Sequence, residues 1–495
     1  MRTESSLNQT RLDADPIESL DLNLSSRHEL VPVLAGLQHL YLDQTARDQV
    51  LALVRADVLG SASAQRGRKG LDLWSVTVLA AARLGLNLDY DALQDLAENH
   101  RQLRLLMGIG DWESRRRFDW RLIRDSVCKI RPETLEKISA IVVGLGHRLV
   151  PGAAQHLRAD SFVMATPIHY PTDIRQVGDA LRCLVRHGAR LGEIIDSTLL
   201  RQHEHLQKRI RSIVLAAGRA SASRGAGRTK RLEIAVRDLV TFADERSHQA
   251  MELLDQVRPA LNSLDDDQRS AALAEREKVM WFLSGLAMVA DVARRRHVEH
   301  DEQIPLSDRL FSVFEAHTEL IVRGKVPVPV EFGHRVLVVE DSAGFIVHAH
   351  VMADGRQDRD VVGTITRLAK RNHPDIKSLS FDRGFHSPAN QERLNDILPG
   401  ACLPTTGVKA GAAQAEAASE AWHNARRRHP GIESAIGALQ FGNGCERCRD
   451  KGRLGYHRYL RLAVLGRNLL TLGRHAIAQD HPVTAAAASK RRPAA

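Results

Sequence analysis

Aromatic residues are scarce in this sequence of 495 residues, and it contains only five cysteines. Aromatics make up 4% of the chain, which argues against a platform of stacked bases of the kind that binds single-stranded nucleic acid. An odd number of cysteines in a long chain argues against a disulfide framework and favours a reducing cytosol. Cys445 and Cys448 form a single C-x-x-C pair with only His457 downstream, too few ligands for the usual zinc site.

Long hydrophobic runs are also missing. The most apolar stretch, from Trp281 to Ala293, is short and contains Asp291, whereas a membrane-spanning helix needs about 20 apolar residues. The first residues are too polar and too acidic for a signal peptide. We therefore expect a cytoplasmic protein, associated with the nucleoid if it binds DNA, and no membrane partner.

Acidic residues are outnumbered by basic ones. The chain has 70 lysines and arginines against 60 aspartates and glutamates, for a formal net charge of +10. A positive excess favours a polyanionic partner, because phosphate contacts release counterions from nucleic acid. A basic soluble protein without such a partner is the alternative on charge alone. Part of the charge lies in three short runs, Arg115–Arg117, Arg426–Arg428 and Lys490–Arg492.

The N-terminal part of the chain has helical patterns after a polar segment at residues 1–26. From Leu73 to Leu84 and from Tyr90 to about Leu106 apolar residues recur at helical spacing. Between these helices lie Gly85 and Asp89, a helix stop and a helix cap. Residues 27–150 are therefore expected to form a helical domain. The two helices are either a helix-turn-helix DNA reader, next to a basic loop at 61–70, or an ordinary helical hairpin.

The middle of the chain, residues 179–322, is predicted to be a long helical module. Apolar residues form one seam from Leu184 to Ile213, and further helices are expected at 232–261 and 270–296. Residues 218–230 between the first two are rich in Gly, Ser and Arg and predict an exposed hairpin tip. Such a tip belongs to a DNA clamp, a dimerisation arm or a solvated packing module. In the first case its arginines are candidate DNA contacts, namely Arg219, Arg224 and Arg228.

Three acidic residues stand where metal-binding carboxylates would be needed. Asp160 lies in a short strand pattern, and Asp382 closes a second one, after which Arg383 and Gly384 turn the chain. Glu433 follows Pro430 in a pattern typical of the first turn of a helix. Two strand ends and a helix can bring three carboxylates to one point. Magnesium prefers oxygen ligands of this kind, and metal pairs promote phosphoryl transfer.

Several short words of the sequence resemble the DDE transposases of bacterial insertion sequences, in particular the group catalogued as not classified yet (ISNCY). The similarity runs from about Arg27 to about His475. The matching words are Asp160-Ser161-Phe162-Val163, Ile168-His169-Tyr170-Pro171-Thr172-Asp173, Val330-Glu331-Phe332-Gly333-His334, Phe381-Asp382-Arg383-Gly384-Phe385-His386-Ser387-Pro388, Ile432-Glu433-Ser434-Ala435-Ile436, Cys448-Arg449-Asp450-Lys451-Gly452 and Ala463-Val464-Leu465-Gly466-Arg467-Asn468-Leu469. Each word is weak alone, and their joint occurrence in order is specific.

The resemblance implies an α/β fold with a ribonuclease H-like mixed sheet flanked by helices. Strand and helix patterns in residues 151–178 and 323–475 have the order of that fold, with the helical module inserted between its first and second strands. Residues 476–495 are expected to be a basic flexible tail. The resemblance further implies that Asp160, Asp382 and Glu433 hold two Mg²⁺ ions, which Mn²⁺ can replace.

The partners that the resemblance implies are double-stranded DNA, as transposon ends and as target, and a second copy of the chain in a homodimer on DNA. Basic residues near the acids are then candidate DNA contacts, namely Arg383, Arg428, Arg447, Arg449 and Lys451. Arg383 is expected either to meet a phosphate or to pair with a nearby carboxylate. Two alternatives stay open, a ribonuclease H-like nuclease that only cuts and a non-enzymatic DNA-binding protein derived from a transposase.

Overall fold

Helices account for most of the chain, and a mixed sheet of five strands makes it an α/β protein. The structure is a computed structural model that describes residues 12–24, 26–60, 70–301, 303–322 and 329–480. Most of the predicted basic loop (61–70) and basic tail (476–495) lies outside these residues, whereas the described part of the N-terminus (1–26), which was expected to be loose, buries Ile17, Leu20 and Leu22 in the core of the first unit. Contacts divide the chain into two compact units, of which one is Met1–Thr166 with Gly333–Ala495 and the other is Pro167–Phe332.

Seventeen α-helices and five strands lie within the described residues. The helices are α1 (Leu30–Leu42), α2 (Gln44–Leu59), α3 (Leu73–Gly85), α4 (Tyr90–Asn99), α5 (Arg101–Leu106), α6 (Trp120–Val127), α7 (Pro132–Leu149), α8 (Asp173–Ile194), α9 (His203–Ala222), α10 (Arg228–Ala260), α11 (Asp266–His297), α12 (Val362–Asn372), α13 (Pro388–Ile397), α14 (Val408–Ala417), α15 (Glu420–Arg428), α16 (Gly431–Gly437) and α17 (Gly452–Asp480). The strands are β1 (His156–Ala165), β2 (Glu319–Val322), β3 (Val330–Glu340), β4 (Ile346–Val351) and β5 (Ser378–Ser380).

Strand β1 is central to the sheet of the first unit. It pairs antiparallel with β3, from Arg158 opposite Glu340 to Ala165 opposite Gly333. On its other edge it pairs parallel with the short strand β5, where Arg158 lies opposite Ser380. Strand β4 pairs antiparallel with β3. Because β5 ends after three residues while β1 continues, the edge of β1 has no β5 partner beyond Arg158, and it is paired again only at Ala165, whose backbone bonds to Glu446 and Cys448.

Side chains alternate between the two faces of this sheet, as the period of a strand requires. Phe162 and Met164 of β1 point into a core that also contains residues of α16, α17 and the N-terminal helices. Leu157 and Ala159 point into a second core with residues of α12 and α13. The sheet is therefore covered by helices on both faces.

Helix α17 packs closely against the N-terminal helices α1 and α3. A Cβ atom at Gly36 of α1 would lie 2.1 Å from the carbonyl oxygen of Leu469, and one at Gly473 would lie 1.8 Å from that of Pro32. A Cβ atom at Gly466 would lie 2.5 Å from the backbone nitrogen of Gly85. Only glycine allows helix backbones to approach so closely. The helices at 27–150 therefore share one hydrophobic core with β1, β3 and α17.

A buried ion pair joins α3 to the segment before α17. The Arg83 guanidinium donates to both carboxylate oxygens of Asp450, at 2.5 and 3.2 Å, and only 2% of Arg83 is exposed. Tyr90 lies against the guanidinium, with its ring centre 4.1 Å away. Asp450, in one of the transposase-like words, thus stabilises the contact between distant parts of the chain.

The helix pair α3 and α4 has the properties of an internal hairpin. Asp89 caps α4, as the sequence predicts, by accepting from the backbone N–H of Ala92 at 2.8 Å. Every residue of α3 is buried, and the exposed face of α4 carries Asp91 and Asp95. Carboxylates on that face would repel phosphate, which disfavours the helix-turn-helix interpretation and favours the ordinary helical hairpin.

The second unit contains four helices, α8 to α11, around a core of their own. Helices α10 and α11 lie where the sequence predicts them. The single seam predicted from Leu184 to Ile213 is instead divided between α8 and α9 by a turn in which Asp196 and Leu200 have positive φ angles. The apolar period continues through Ile195 and Leu199 because both pack against the same core, so it gives no sign of the break.

Cys445 and Cys448 are free thiols buried in the core of the first unit. Burial raises the pKa of Cys445 to about 12, so this thiol is protonated and poorly suited to hold zinc. None of the helices in the described ranges combines the length and the apolar character that a membrane crossing requires.

Candidate functional site

Asp160 and Asp382 come from neighbouring parallel strands. Arg158 of β1 lies opposite Ser380 of β5, and two residues further along each strand come Asp160 and Asp382. The register therefore carries both carboxylates to the same level of the sheet. Beyond β5 a short 3₁₀ turn, Arg383–Phe385, leads the chain away from β1. Asp382 is exposed at this open edge, whereas Asp160 is partly buried.

Glu433 lies in the first turn of α16, and Arg158 fixes the start of that helix. The Arg158 guanidinium pairs with Glu340 at 2.6 Å and donates to the backbone oxygen of Arg428, the last residue of α15, at 3.1 Å. A Cβ atom at Gly431 would lie 1.9 Å from the Arg158 Nη1 atom, so this position must be glycine for the contact to form. The arginine thereby ties the helix that carries Glu433 to the strand that carries Asp160.

The charge of the other acids acts on Asp160. The pKa of Asp160 is raised to about 6, mainly by burial and in addition by the negative charges of Asp382, Asp358 and Glu433. A hydrogen bond from the backbone N–H of Ser161, at 2.7 Å, acts in the opposite direction. The three predicted acids are therefore electrostatic neighbours.

The three carboxylates do not form a closed ligand set by themselves. Within the described ranges, they do not bring one oxygen each within 4.8 Å of the other two. None of them forms an ion pair with a cation of the described residues. The oxygen donors fit a hard divalent cation such as Mg²⁺ or Mn²⁺, and the raised pKa of Asp160 shows negative charge that such a cation would neutralise.

Asp358 is a fourth acid of this site that the sequence interpretation did not include. Its carboxylate accepts from the Ser161 hydroxyl at 2.6 Å and lies 3.4 Å from the Arg335 guanidinium. It lies in a short 3₁₀ turn before α12, and a Cβ atom at Gly384 would be 3.8 Å from it. In the sequence, Asp358 is marked only as an acid that follows β4 outside any strand pattern. Acids are common in loops, so this position alone does not indicate a functional site.

His429 lies behind Asp382, between α15 and α16. Its Nδ1 atom is 3.1 Å from the Ser380 hydroxyl. Burial lowers the pKa of His429 to about 4, although the charge of Asp382 raises it. The imidazole is therefore neutral at pH 7, and it contacts Ser380 at the end of β5.

The predicted DNA-contacting residues of the first unit fall into two groups. Arg383, Arg428, Arg447 and Lys451 are exposed. Arg449 is held by the chain itself, because its guanidinium donates to the Asn87 side chain at 2.7 Å and to the Tyr459 hydroxyl at 3.0 Å. Arg449 is therefore exposed like the other four, but its guanidinium is already bonded to neighbouring side chains.

Arg383 also lines a cavity of about 410 Å³ beside Asp382. Arg426 and Trp422 belong to the same lining. The buried Trp422 indole N–H and the buried Thr405 hydroxyl have no hydrogen-bond partner in the described structure. Buried polar atoms are normally paired, so both atoms await a partner from outside the described chain.

The predicted hairpin tip connects α9 and α10 in the second unit. Arg219 and Arg224 are exposed there. Arg228 is used internally, since its guanidinium donates to the backbone oxygen of Ser221 at 3.0 and 3.2 Å and so satisfies the end of α9. All three predicted arginines are therefore exposed at the tip, and Arg228 in addition stabilises the turn.

A basic groove between α8 and α9 was not foreseen from the sequence. Its volume is about 630 Å³. Arg175 and Arg182 lie on the α8 side, and Lys208 and Arg211 lie on the α9 side. The one acid in the lining, Asp179, already pairs with Arg182 and with a histidine. This groove is an electropositive concave surface of the second unit.

Comparisons with known proteins identify no relative, since no family model, curated protein or solved structure matches this chain.

Proposed function

We propose that this chain is a DNA transposase of the DDE type, with a ribonuclease H-like catalytic fold. The observation that carries the proposal is that Asp382 and Glu433 are charged neighbours of Asp160, whose pKa is raised mainly by burial and further by these acids, and that none of the three forms an ion pair within the described residues. A structural role would leave such acids paired with cations. A site with perturbed acids at strand ends is instead typical of catalysis.

In this proposal the acids hold Mg²⁺, and the chain supplies no covalent nucleophile. When bound, the metal would lower the pKa of an attacking water and stabilise charge on the leaving oxygen of a phosphodiester. Asp160 must be ionised to serve as a ligand. Because its raised pKa keeps part of the carboxyl groups protonated near pH 6, metal binding would release protons. Arg383, exposed next to Asp382, is in a position to contact a phosphate of the bound strand.

The basic surfaces support DNA as the substrate. Arg383 follows Asp382 in the chain and lines a cavity together with Arg426, and the second unit adds the groove between α8 and α9 and the arginines of its tip. Phosphate contacts of this kind supply sequence-independent affinity that decreases with salt. Strand transfer is proposed in addition to cleavage on the basis of the transposase-like words.

Asp382→Asn tests the catalytic assignment. Asparagine keeps the shape of the side chain and removes its charge, so cleavage should fall by at least about a thousandfold while the affinity for DNA is retained. The substrate is a duplex carrying the terminal inverted repeats that flank the gene, incubated with Mg²⁺. Asp396→Asn, at an exposed position of α13, is the control. Wild-type cleavage by the Asp382 variant would exclude the assigned role.

Two further measurements separate the alternatives. The joining of a cleaved end to a supercoiled target plasmid distinguishes a transposase from a nuclease that only cuts. Calorimetric titration with Mn²⁺ tests the metal site without any activity assay, and Asp160→Asn should weaken binding at least tenfold. A wild-type protein that binds DNA but neither binds Mn²⁺ nor cuts would be a non-enzymatic DNA-binding protein.

A further inference from the structure

The outward face of α11 exposes large apolar side chains to solvent. Leu273, Met280, Trp281 and Met288 are each between 41 and 54% exposed. The opposite face of the same helix is packed into the core of the second unit, through residues such as Val279. Contiguous apolar surface of this kind marks interaction sites in soluble proteins.

These four residues form one stripe along the helix. Met280 and Trp281 follow Leu273 by seven and eight residues, and Met288 follows Met280 by eight, which keeps them on one side of an α-helix. The stripe is about 22 Å long at a rise of about 1.5 Å per residue. A partner can therefore pack along about four turns of this helix.

The stripe is symmetric about its centre. Its midpoint falls between Met280 and Trp281, and Leu273 and Met288 are equally distant from that point. If a second α11 packs antiparallel about a twofold axis there, Met280 meets Trp281 of the other copy and Leu273 meets its Met288. Every large apolar residue of the stripe then has a large apolar partner, as a self-complementary interface requires.

The exposed residues between the large ones follow the same symmetry. Ala274 and Ala287 are placed opposite each other, and small side chains there allow the helices to approach. Glu277 is placed opposite Ser284, so a carboxylate meets a hydroxyl donor. All four are exposed. Parallel pairing in register would instead set Glu277 against Glu277.

The two ends of α11 carry opposite charge. Asp266 and Asp267 lie in its first turn, whereas Arg294, Arg295 and Arg296 lie in its last turn. Antiparallel pairing brings each acidic end next to the basic end of the other copy and also aligns the helix dipoles favourably. Arg294 and Arg295 have acidic partners within their own unit, so the ends orient the pair and the apolar stripe supplies most of the binding.

We infer that α11 is the surface through which two copies of this chain associate, antiparallel about a twofold axis between Met280 and Trp281. The partner is a second copy because the surface complements itself in size, polarity and charge. This inference does not rest on the proposed catalytic function. It gives the second unit a role in assembly.

The first test is the oligomeric state of the full chain. Sedimentation equilibrium over a hundredfold concentration range should show a monomer–dimer equilibrium for the wild type, and Met280→Glu should weaken the dimer at least tenfold. Met251→Glu is the matched control, because Met251 on α10 is also 45% exposed, as Met280 is. A wild type that stays monomeric, or equal effects of both variants, would overturn the inference.

The second test fixes the direction of pairing. With Leu273→Cys and Met288→Cys in one chain, mild oxidation should produce a disulfide-linked dimer on a non-reducing gel. Either substitution alone places the new cysteines about 22 Å apart along an antiparallel pair, so the single variants should remain uncrosslinked. Efficient crosslinking of the single variants would indicate parallel pairing and contradict the antiparallel arrangement.

Discussion

Asp450 and Asp160 are both largely buried carboxylates of the first unit, and their surroundings are opposite. Asp450 receives two hydrogen bonds from Arg83 and joins α3 to the segment before α17. Asp160 has Asp358, Asp382 and Glu433 as its charged neighbours, and its pKa is raised. Pairing with a cation holds the first carboxylate in place. The second is not paired with a cation of the described residues, and its pKa is raised by burial and by neighbouring charge of its own sign.

The difference is that Asp450 is paired in a way that stabilises the fold, whereas Asp160 is one of the acids that we propose to hold a metal. A buried carboxylate without a cation costs free energy of folding, so a chain that needs it only for stability gains nothing from leaving it unpaired. We therefore expect the acids of the two regions to contribute to the free energy of unfolding with opposite signs. Substitutions at these acids, and in the helix packing of the first unit, can test this expectation.

Replacing Arg83 should have the largest effect on stability. Arg83→Leu removes both hydrogen bonds that buried Asp450 receives from the guanidinium and leaves it only the longer contact with Arg458, at 3.9 Å, so we expect a loss of about 3–5 kcal/mol in the free energy of unfolding. Urea denaturation followed by circular dichroism measures this loss. The double variant Arg83→Leu with Asp450→Leu removes both charges and should recover much of the stability. A double variant as unstable as the single one would mean that the pair acts through shape instead of charge.

Disturbing the close packing of α17 against α1 should cause the second-largest loss of stability. A Cβ atom at Gly473 would lie 1.8 Å from the carbonyl oxygen of Pro32, so Gly473→Ala must move one helix away from the other. We expect a loss of about 3 kcal/mol. The control is Gly144→Ala within α7, where nothing lies within 4 Å of the added atom and alanine should stabilise the helix by about 0.5–1 kcal/mol.

Partly buried His348 should cause a loss of stability in acid. Burial, helped by His350 and Arg461, lowers the pKa of His348 on β4 to about 3. Because the unfolded chain binds this proton near pH 6.5, the contribution to stability is complete above pH 6.5 and falls by about 1.4 kcal/mol per pH unit toward pH 3. His348→Gln should therefore reduce the difference in stability between pH 7 and pH 5 by about 2 kcal/mol.

Two observations would check the His348 prediction. Urea midpoints at the two pH values give the difference directly, and His423→Gln, at an exposed histidine of α15, is the control that should leave it unchanged. If His348→Gln and His423→Gln alter the pH dependence equally, the burial of His348 is not its cause.

Asp160→Asn should have the smallest effect and the opposite sign to the loss at Arg83. The amide removes the repulsion from neighbouring acids, so in a buffer with chelator we expect the variant to be more stable than the wild type by about 1 kcal/mol. Asp450→Asn, measured in the same way, should be less stable than the wild type. The same sign for both asparagine variants would contradict the distinction between the two regions.

The parts of the site that follow from local pattern could be predicted from the sequence. Asp160 and Asp382 follow strand patterns, and Pro430 marks the start of the helix that carries Glu433, so each acid had a signal within a few residues. The assembly of these three acids near one edge was expected because parallel strands end at the same edge. Asp358 lies in a loop, where the sequence offers no period to predict its position.

Features that depend on distant contacts could not be predicted. The glycines of α1 and α17 give no local sign that their helices meet, since residues 36 and 473 are far apart in sequence. The break between α8 and α9 was missed because Ile195 and Leu199 continue the apolar period through the turn. The self-complementary face of α11 was visible only as isolated large apolar residues until the structure showed which of them are exposed.

The packing of α17 on α1 and α3 determines the order in which the chain can fold during synthesis. The core of the first unit needs residues 452–480, so the ribosome must translate most of the chain before this core can close. The helices of the second unit make mostly local contacts, which form quickly. A nascent chain can therefore contain a folded helical unit while Asp160, Asp382 and Glu433 are still apart, and these acids come together only once translation has passed α17.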